Sequence, residues 1–170
     1  MANNSCLIIV SLIGVLLFPN NVASSTDVVS IICQKTSNPP FCSSVLKVAG
    51  TTDLKDLAVY TLNFAHTNAR KSLTLASSLA KTTLNPQLKQ RYSTCAESYD
   101  EAIVDIENAQ KDLALGDFNG VNIVTSGAMI GIDDCQDKLA QPPKDTSLLL
   151  KNGKTLNDIC NIILVISNLL

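Results

Sequence analysis

From about residue 52 onward, apolar and small side chains return every three or four positions, the period of a helix buried along one side. Thr52 or Asp53 is placed to cap a first long helix. Its inward positions read Leu54, Leu57, Ala58, Thr61, Ala65, Asn68, Ser72, Ala76 and Leu79, and Asn85-Pro86 closes it. Pro86 to Leu115 repeats the pattern most clearly, with Tyr92, Cys95, Tyr99, Ala102, Ile103, Ile106, Ala109 and Leu113 in one stripe of a 100° wheel. Gly116 ends that helix and Asp117 caps the next, Phe118 to Leu139, whose stripe is Val121, Val124, Ala128, Ile132, Cys135 and Leu139. After the Pro142-Pro143 loop, Thr155 and Asp158 have the spacing of a capping box and open a last helix, Leu156 to Leu170, apolar nearly all round and therefore central. Upstream, Val28 to Thr36 and Phe41 to Val48 are short amphipathic stretches broken by Asn38-Pro39-Pro40. No stretch alternates with the period of a strand. The pattern predicts an all-α fold: an antiparallel four-helix bundle with an N-terminal helical hairpin.

The first apolar run, Cys6 to Phe18, is too short to span a bilayer comfortably and has the length of a signal-peptide core. Val22 and Ser24 are small residues placed for cleavage after Ser24. The expected organisation is therefore a signal peptide over 1–24 and a single domain over 25–170. Met1 to Ser5 carries no Lys or Arg, so an N-terminal anchor helix is the competing reading. At the other end, the competing reading is a cleaved lipid-anchor tail, against which Asn161, Ser167 and Asn168 interrupt the apolar run. Without residues 1–24 the chain is expected to be secreted, with no membrane attachment and no N-glycosylation sequon. Five cysteines remain, Cys33, Cys42, Cys95, Cys135 and Cys160, in a compartment that permits disulfides. Two bridges and one leftover thiol can be arranged in 15 ways, which spacing alone does not resolve.

Composition narrows the function. Thirteen Lys and Arg against fifteen Asp and Glu leave a net charge of -2, which argues against a general nucleic-acid binder. The one histidine, His66, would have to serve any Ser-His-Asp triad, and multi-histidine metal sites are excluded. Phosphate-cradling glycine loops and Cys-x-x-Cys spacings are missing, so neither a cofactor nor a metal is expected. A glycosidase-like carboxylate pair needs one acid in an apolar cleft. Here the acids project outward, and the chain is read as a non-enzyme.

Charge is segregated along the chain. Asp27 to Arg91 nets +5, Glu97 to Asp137 nets -9, and the remainder nets +2. Wheels place Glu97, Glu101, Asp105 and Asp112 opposite the core stripe of one middle helix, and Asp133, Asp134 and Asp137 opposite that of the next. Val104, Ile123 and Ile130 fall among these carboxylates. Apolar residues ringed by acids suit a protein partner, because burial supplies affinity and charge supplies steering. From the residues alone, a plainly solvated face is the competing reading.

Cys33 and Cys42 bracket a Thr-x-Asn-Pro turn with eight residues between them. Together with Arg91-Tyr92-Ser93-Thr94-Cys95-Ala96-Glu97-Ser98-Tyr99, Gly116-Asp117, Asp134-Cys135-Gln136-Asp137 and the ending Cys160 to Leu170, this resembles the plant invertase and pectin methylesterase inhibitors. The resemblance runs from about Val28 to Leu170. It implies bridges Cys33 to Cys42 and Cys95 to Cys135, with Cys160 free and buried. By loop closure these would contribute roughly 3 and roughly 4 kcal/mol. It further implies a monomeric protein without chemistry of its own, which binds a cell-wall or vacuolar carbohydrate enzyme one to one and blocks its cleft. The invertase-directed branch carries Pro-Lys-Phe after the Gly-Asp turn, whereas this chain reads Gly116-Asp117-Phe118-Asn119. The ending also looks like the methylesterase-directed branch, so the expected partner is pectin methylesterase in the apoplast and cell wall, with acid invertase as the alternative. Motif positions nominate Glu97, Tyr99, Glu101, Asp134 and Asp137 as contacts. The wheel buries Tyr99, so the expected enzyme-binding face is Glu97, Glu101, Val104, Asp105, Ile123, Ile130, Asp133, Asp134 and Asp137. Asp134 stands where the family usually has Thr.

Overall fold

Short capping side chains set where the helices of this protein begin. The computed structural model describes residues 25–170, so the signal peptide expected over 1–24 lies outside the described residues. Asn38 accepts a hydrogen bond from the Phe41 amide and opens α2, and Asp53 accepts from Asp56 and opens α3. Asn85 accepts from Gln87 and Leu88 ahead of α4, and Asp117 accepts from Gly120 ahead of α5. The helices are α1 (Ser25–Gln34), α2 (Pro39–Ala49), α3 (Leu54–Thr82), α4 (Pro86–Leu115), α5 (Phe118–Ala140) and α6 (Leu149–Ser167).

The four long helices form an antiparallel bundle in which α3 packs on α4 and α6, and α5 packs on α4 and α6. Helices α1 and α2 form a hairpin that leans on α3 and α6. Its turn is tied to α6 by polar bonds: the Ser37 amide donates to Asn161 Oδ1 at 2.8 Å, and Asn38 Nδ2 donates to Asp158 Oδ2 at 2.8 Å. A Cys33–Cys42 disulfide closes the hairpin. The apolar run of α6 lies in the core, with Ile159, Ile162, Ile163 and Ile166 fully buried. No helix among the described residues is long and apolar enough to cross a membrane.

Several sequence expectations change. Pro39 and Pro40 do not merely break the chain; they form the first turn of α2, where a missing amide hydrogen costs nothing. Thr155 and Asp158 do not open α6, which starts at Leu149. Thr155 lies inside the helix, with its hydroxyl bonded to the Lys151 carbonyl, and Asp158 accepts from Asn38 instead. The true start is shaped by Ser147, whose hydroxyl accepts from the Leu149 amide. On α3, Leu54, Asn68 and Leu79 are half-buried while Leu62, Ala69 and Ala80 join the core, because the helix packs between two neighbours and buries a wider arc. On α5, Val124 is half-buried and Thr125 takes the buried position.

Side chains of α4 fasten the α5–α6 connection. The Arg91 guanidinium donates to the carbonyls of Gln141, Pro142 and Pro143. Asp145, only 4% exposed, accepts from the Tyr92 hydroxyl at 2.7 Å and from the Ser147 amide and hydroxyl. Burial, reinforced by Asp145, pushes the Tyr92 phenol up to about 12. A raised phenol stabilises the fold fully below the unfolded value of about 10 and loses that contribution as pH rises through about 12. Asp145→Ala leaves the Tyr92 hydroxyl unpaired and should cost about 1–3 kcal/mol in urea denaturation. It should also bring phenolate formation at Tyr92 down toward its ordinary range, which absorbance titration reads directly.

Candidate functional site: the α4–α5 face

Helices α4 and α5 are held in register at both ends. At one end Gly116 adopts a left-handed conformation, φ 77°, which only glycine takes without strain, and its amide bonds back to the end of α4. Asp117 then caps α5, so the chain reverses within two residues. At the other end Cys95 and Cys135 are joined by a disulfide with a Cα–Cα distance of 4.9 Å. Cys160 is a free, fully buried thiol, pushed up to about 12 by its apolar surroundings.

Between these pins, glycines of α5 face polar side chains of α4. A Cβ added at Gly127 would lie 3.2 Å from Asp105 Oδ2, and one at Gly120 would lie 2.8 Å from Asp112 Oδ2. At Gly131 it would meet the Ser98 carbonyl at 3.8 Å. The missing side chains leave room for two carboxylates in the seam, and Asp105 and Asp112 are half-buried there rather than fully outward. Burial raises the Asp105 carboxyl above its ordinary value, and the neighbouring Glu101 adds to the shift. Residues 118–132 of α5 contain no charged side chain, so α5 offers Asp105 no cation along that stretch.

On either side of the seam the surface is apolar and acidic. Val104 is 52% exposed, Ile123 63% and Ile130 66%, and none is drawn into the bundle. Glu97, Glu101, Asp134 and Asp137 are exposed with them. Asp133 departs from this grouping. It is exposed but turned toward α6, where it accepts from Asn157 and from Gln136 of its own helix. Tyr99 is fully buried, with its hydroxyl 3.5 Å from the Leu149 carbonyl. Its phenol is pushed up to about 12 by that burial. The row Gly120, Gly127 and Gly131 escaped the sequence reading. Its signal was present, three glycines at spacings of seven and four on one helix flank.

This arrangement offers a partner an apolar platform, half-desolvated carboxylates and a rigid backbone, the features that give a protein interface affinity and orientation. Asp105 carries a pH-dependent cost to stability. Its raised carboxyl stabilises the fold only below the unfolded value of about 4, and that contribution is lost as pH rises through the folded value. Asp105→Asn should therefore raise the melting temperature near pH 7 and leave it unchanged near pH 3, as thermal unfolding followed by circular dichroism will report.

Comparisons with known proteins agree on one lineage. The model of the plant invertase/pectin methylesterase inhibitor family matches residues 27–166. A pectinesterase inhibitor of Actinidia deliciosa is 35% identical, covering 98% of this chain and 95% of its own. Pectinesterase inhibitor 2 of Arabidopsis thaliana is 38% identical over 84% of this chain and 83% of its own. A putative invertase inhibitor of Platanus acerifolia is 26% identical over 86% and 87%. Among solved structures, a mutant form of a pectin methylesterase inhibitor from Arabidopsis superposes with a TM-score of 0.80 at 36% identity, over 84% of this chain and 96% of that one. With the hairpin, the bundle and both disulfides in place, the chain belongs to the plant invertase/pectin methylesterase inhibitor family.

Proposed function

We propose that the protein is an inhibitor of pectin methylesterase that seats its α4–α5 face one to one over the enzyme's active-site cleft, and so regulates pectin de-esterification in the cell wall. The observation that carries this reading is the exposure of Val104, Ile123 and Ile130 amid Glu97, Glu101, Asp134 and Asp137 on two rigidly registered helices. A purely structural bundle gains nothing from exposing three large apolar residues beside the carboxylates. Relatives named as pectinesterase inhibitors, at 35% and 38% identity, support the esterase as target over the putative invertase inhibitor at 26%. Phe118-Asn119 after the Gly116-Asp117 turn, in place of Pro-Lys-Phe, points the same way.

In this account the protein catalyses nothing itself. It acts as a secreted monomer in the apoplast after removal of residues 1–24. The apolar platform supplies the water-excluding contact, Glu101 and Asp105 meet cationic groups of the esterase, and the remaining acids steer approach. Asp134, one position before Cys135, adds a negative charge at the rim and tunes which esterases are held.

Stoichiometric loss of pectin methylesterase activity on titration with the oxidised protein, with acid invertase unaffected in parallel, is the expected outcome; inhibition of invertase alone would overturn the choice of target. Glu101→Lys should weaken inhibition roughly tenfold or more, whereas Lys71→Glu on the outer face of α3 should leave it within about twofold. Equal losses would remove the α4–α5 face from the account. Affinity should also fall from pH 6 to pH 4, because the Asp105 carboxyl, raised by burial and by Glu101, takes up a proton and loses the charge that meets a cationic group. A flat profile over that range, measured by calorimetry, would contradict an acidic contact surface.

A further inference from the structure

The basic side of the molecule contains a groove that shares only Glu97 with the proposed docking face. Where the end of α3 meets the start of α4, a shallow groove of about 530 Å³ is lined by Ser77 and Lys81 from one helix and Lys89 and Ser93 from the other. Ala80 and Ala96 complete its lining, together with Glu97. Among the described residues no Lys or Arg nitrogen lies within 4.0 Å of a carboxylate oxygen, so neither ammonium in the groove is in direct contact with an acid. Lys81 has a local reason to be there, since a cation in the last turn of α3 complements the helix dipole. Lys89 has none. It lies one turn inside α4, where the dipole opposes a positive charge and no acidic residue occupies the first turn to offset it. A position that breaks a local rule without structural compensation is where a ligand is to be sought.

We propose that this groove binds a polyuronate: a polysaccharide segment bearing free carboxylates. The ammonium groups of Lys81 and Lys89 would pair with carboxylates, the Ser77 and Ser93 hydroxyls with ring hydroxyls, and the half-buried Ala96 methyl would underlie the apolar face of a sugar ring. Arg70, exposed on α3 eleven residues before Lys81 and so about 16 Å along the helix, extends the cationic track beyond the groove. The choice of a polyuronate over other polyanions rests on the reading of the partner as pectin methylesterase, whose reaction leaves free carboxylates on pectin. The groove opens on the α3 side of α4, and the seam with Asp105 opens on the α5 side, so Glu97 stands on the ridge between them. One molecule can therefore hold the de-esterified polymer and the enzyme together, which keeps the inhibitor where product has accumulated.

The test is a heteronuclear NMR titration of the mature, oxidised protein with a fully de-esterified oligogalacturonate and, separately, with its fully methyl-esterified counterpart. The expected result is a set of shifts confined to amides around residues 77–81 and 89–97 with the acidic oligomer, weakening with added salt, and none with the neutral one. The paired substitution Lys81→Glu and Lys89→Glu should weaken this binding roughly tenfold or more and leave the inhibition titre against the esterase unchanged. Lys81→Gln with Lys89→Gln repeats the test with a milder change, and helical circular dichroism verifies that each variant is folded. No shift with the acidic oligomer, equal shifts with both oligomers, shifts centred on Lys144, Lys151 and Lys154, or a parallel loss of esterase inhibition would each overturn the proposal. Because binding is read without enzyme and inhibition without oligomer, failure of the groove and failure of the inhibitor reading give different patterns.

Discussion

The register of α4 against α5 is the constraint on which the other features of this protein depend. The Gly116-Asp117 reversal fixes one end of the pair and the Cys95–Cys135 bond the other. With both ends set, Gly120, Gly127 and Gly131 fall opposite Asp112, Asp105 and Ser98, and the carboxylates fit into a seam that any larger side chain would fill. A slip of one residue would set side chains rather than glycines against those acids. The disulfide constrains the unfolded chain as well, so it supports stability and geometry together.

The rest of the bundle holds that pair still. Helix α6 buries its isoleucines against the core, Arg91 and Tyr92 of α4 grip the segment that leads from α5 to α6, and the hairpin is bonded to α6 through Ser37 and Asn38. Apolar demand is met in the interior, which leaves the surface free to separate its charges. The stretch from Asp27 to Arg91 is basic and that from Glu97 to Asp137 acidic, so the two faces of α4 differ in electrostatic character. The surface therefore presents fields of opposite sign on the two sides of α4.

Much of this was legible in the residues because helical periodicity is a local signal. The bounds of α4, the Asp53 and Asp117 caps and the exposure of Val104, Ile123 and Ile130 all follow from spacing on a single helix. What spacing did not give was anything decided by a neighbouring helix. Asp133 looks outward on a wheel, yet Asn157 on α6 claims it; Asp105 looks solvated, yet α5 half-buries it. Thr155 and Asp158 mimic a cap, but the tie from Asp145 through Ser147 lets α6 begin earlier, and Asp158 instead serves the hairpin. The disulfide pairing needed the family resemblance, since five thiols admit many arrangements.

Hydroxyl-radical footprinting of the protein, alone and in equimolar mixture with a pectin methylesterase, reads whether the exposed apolar residues of α4 and α5 are the surface that meets the esterase. Strong protection of Val104, Ile123 and Ile130 is expected in the mixture, with Val48 on α2 and Val59 on α3, also exposed, reacting as before. Unchanged reactivity at Val104, Ile123 and Ile130 in a mixture whose esterase activity is fully lost would show that inhibition comes from another face.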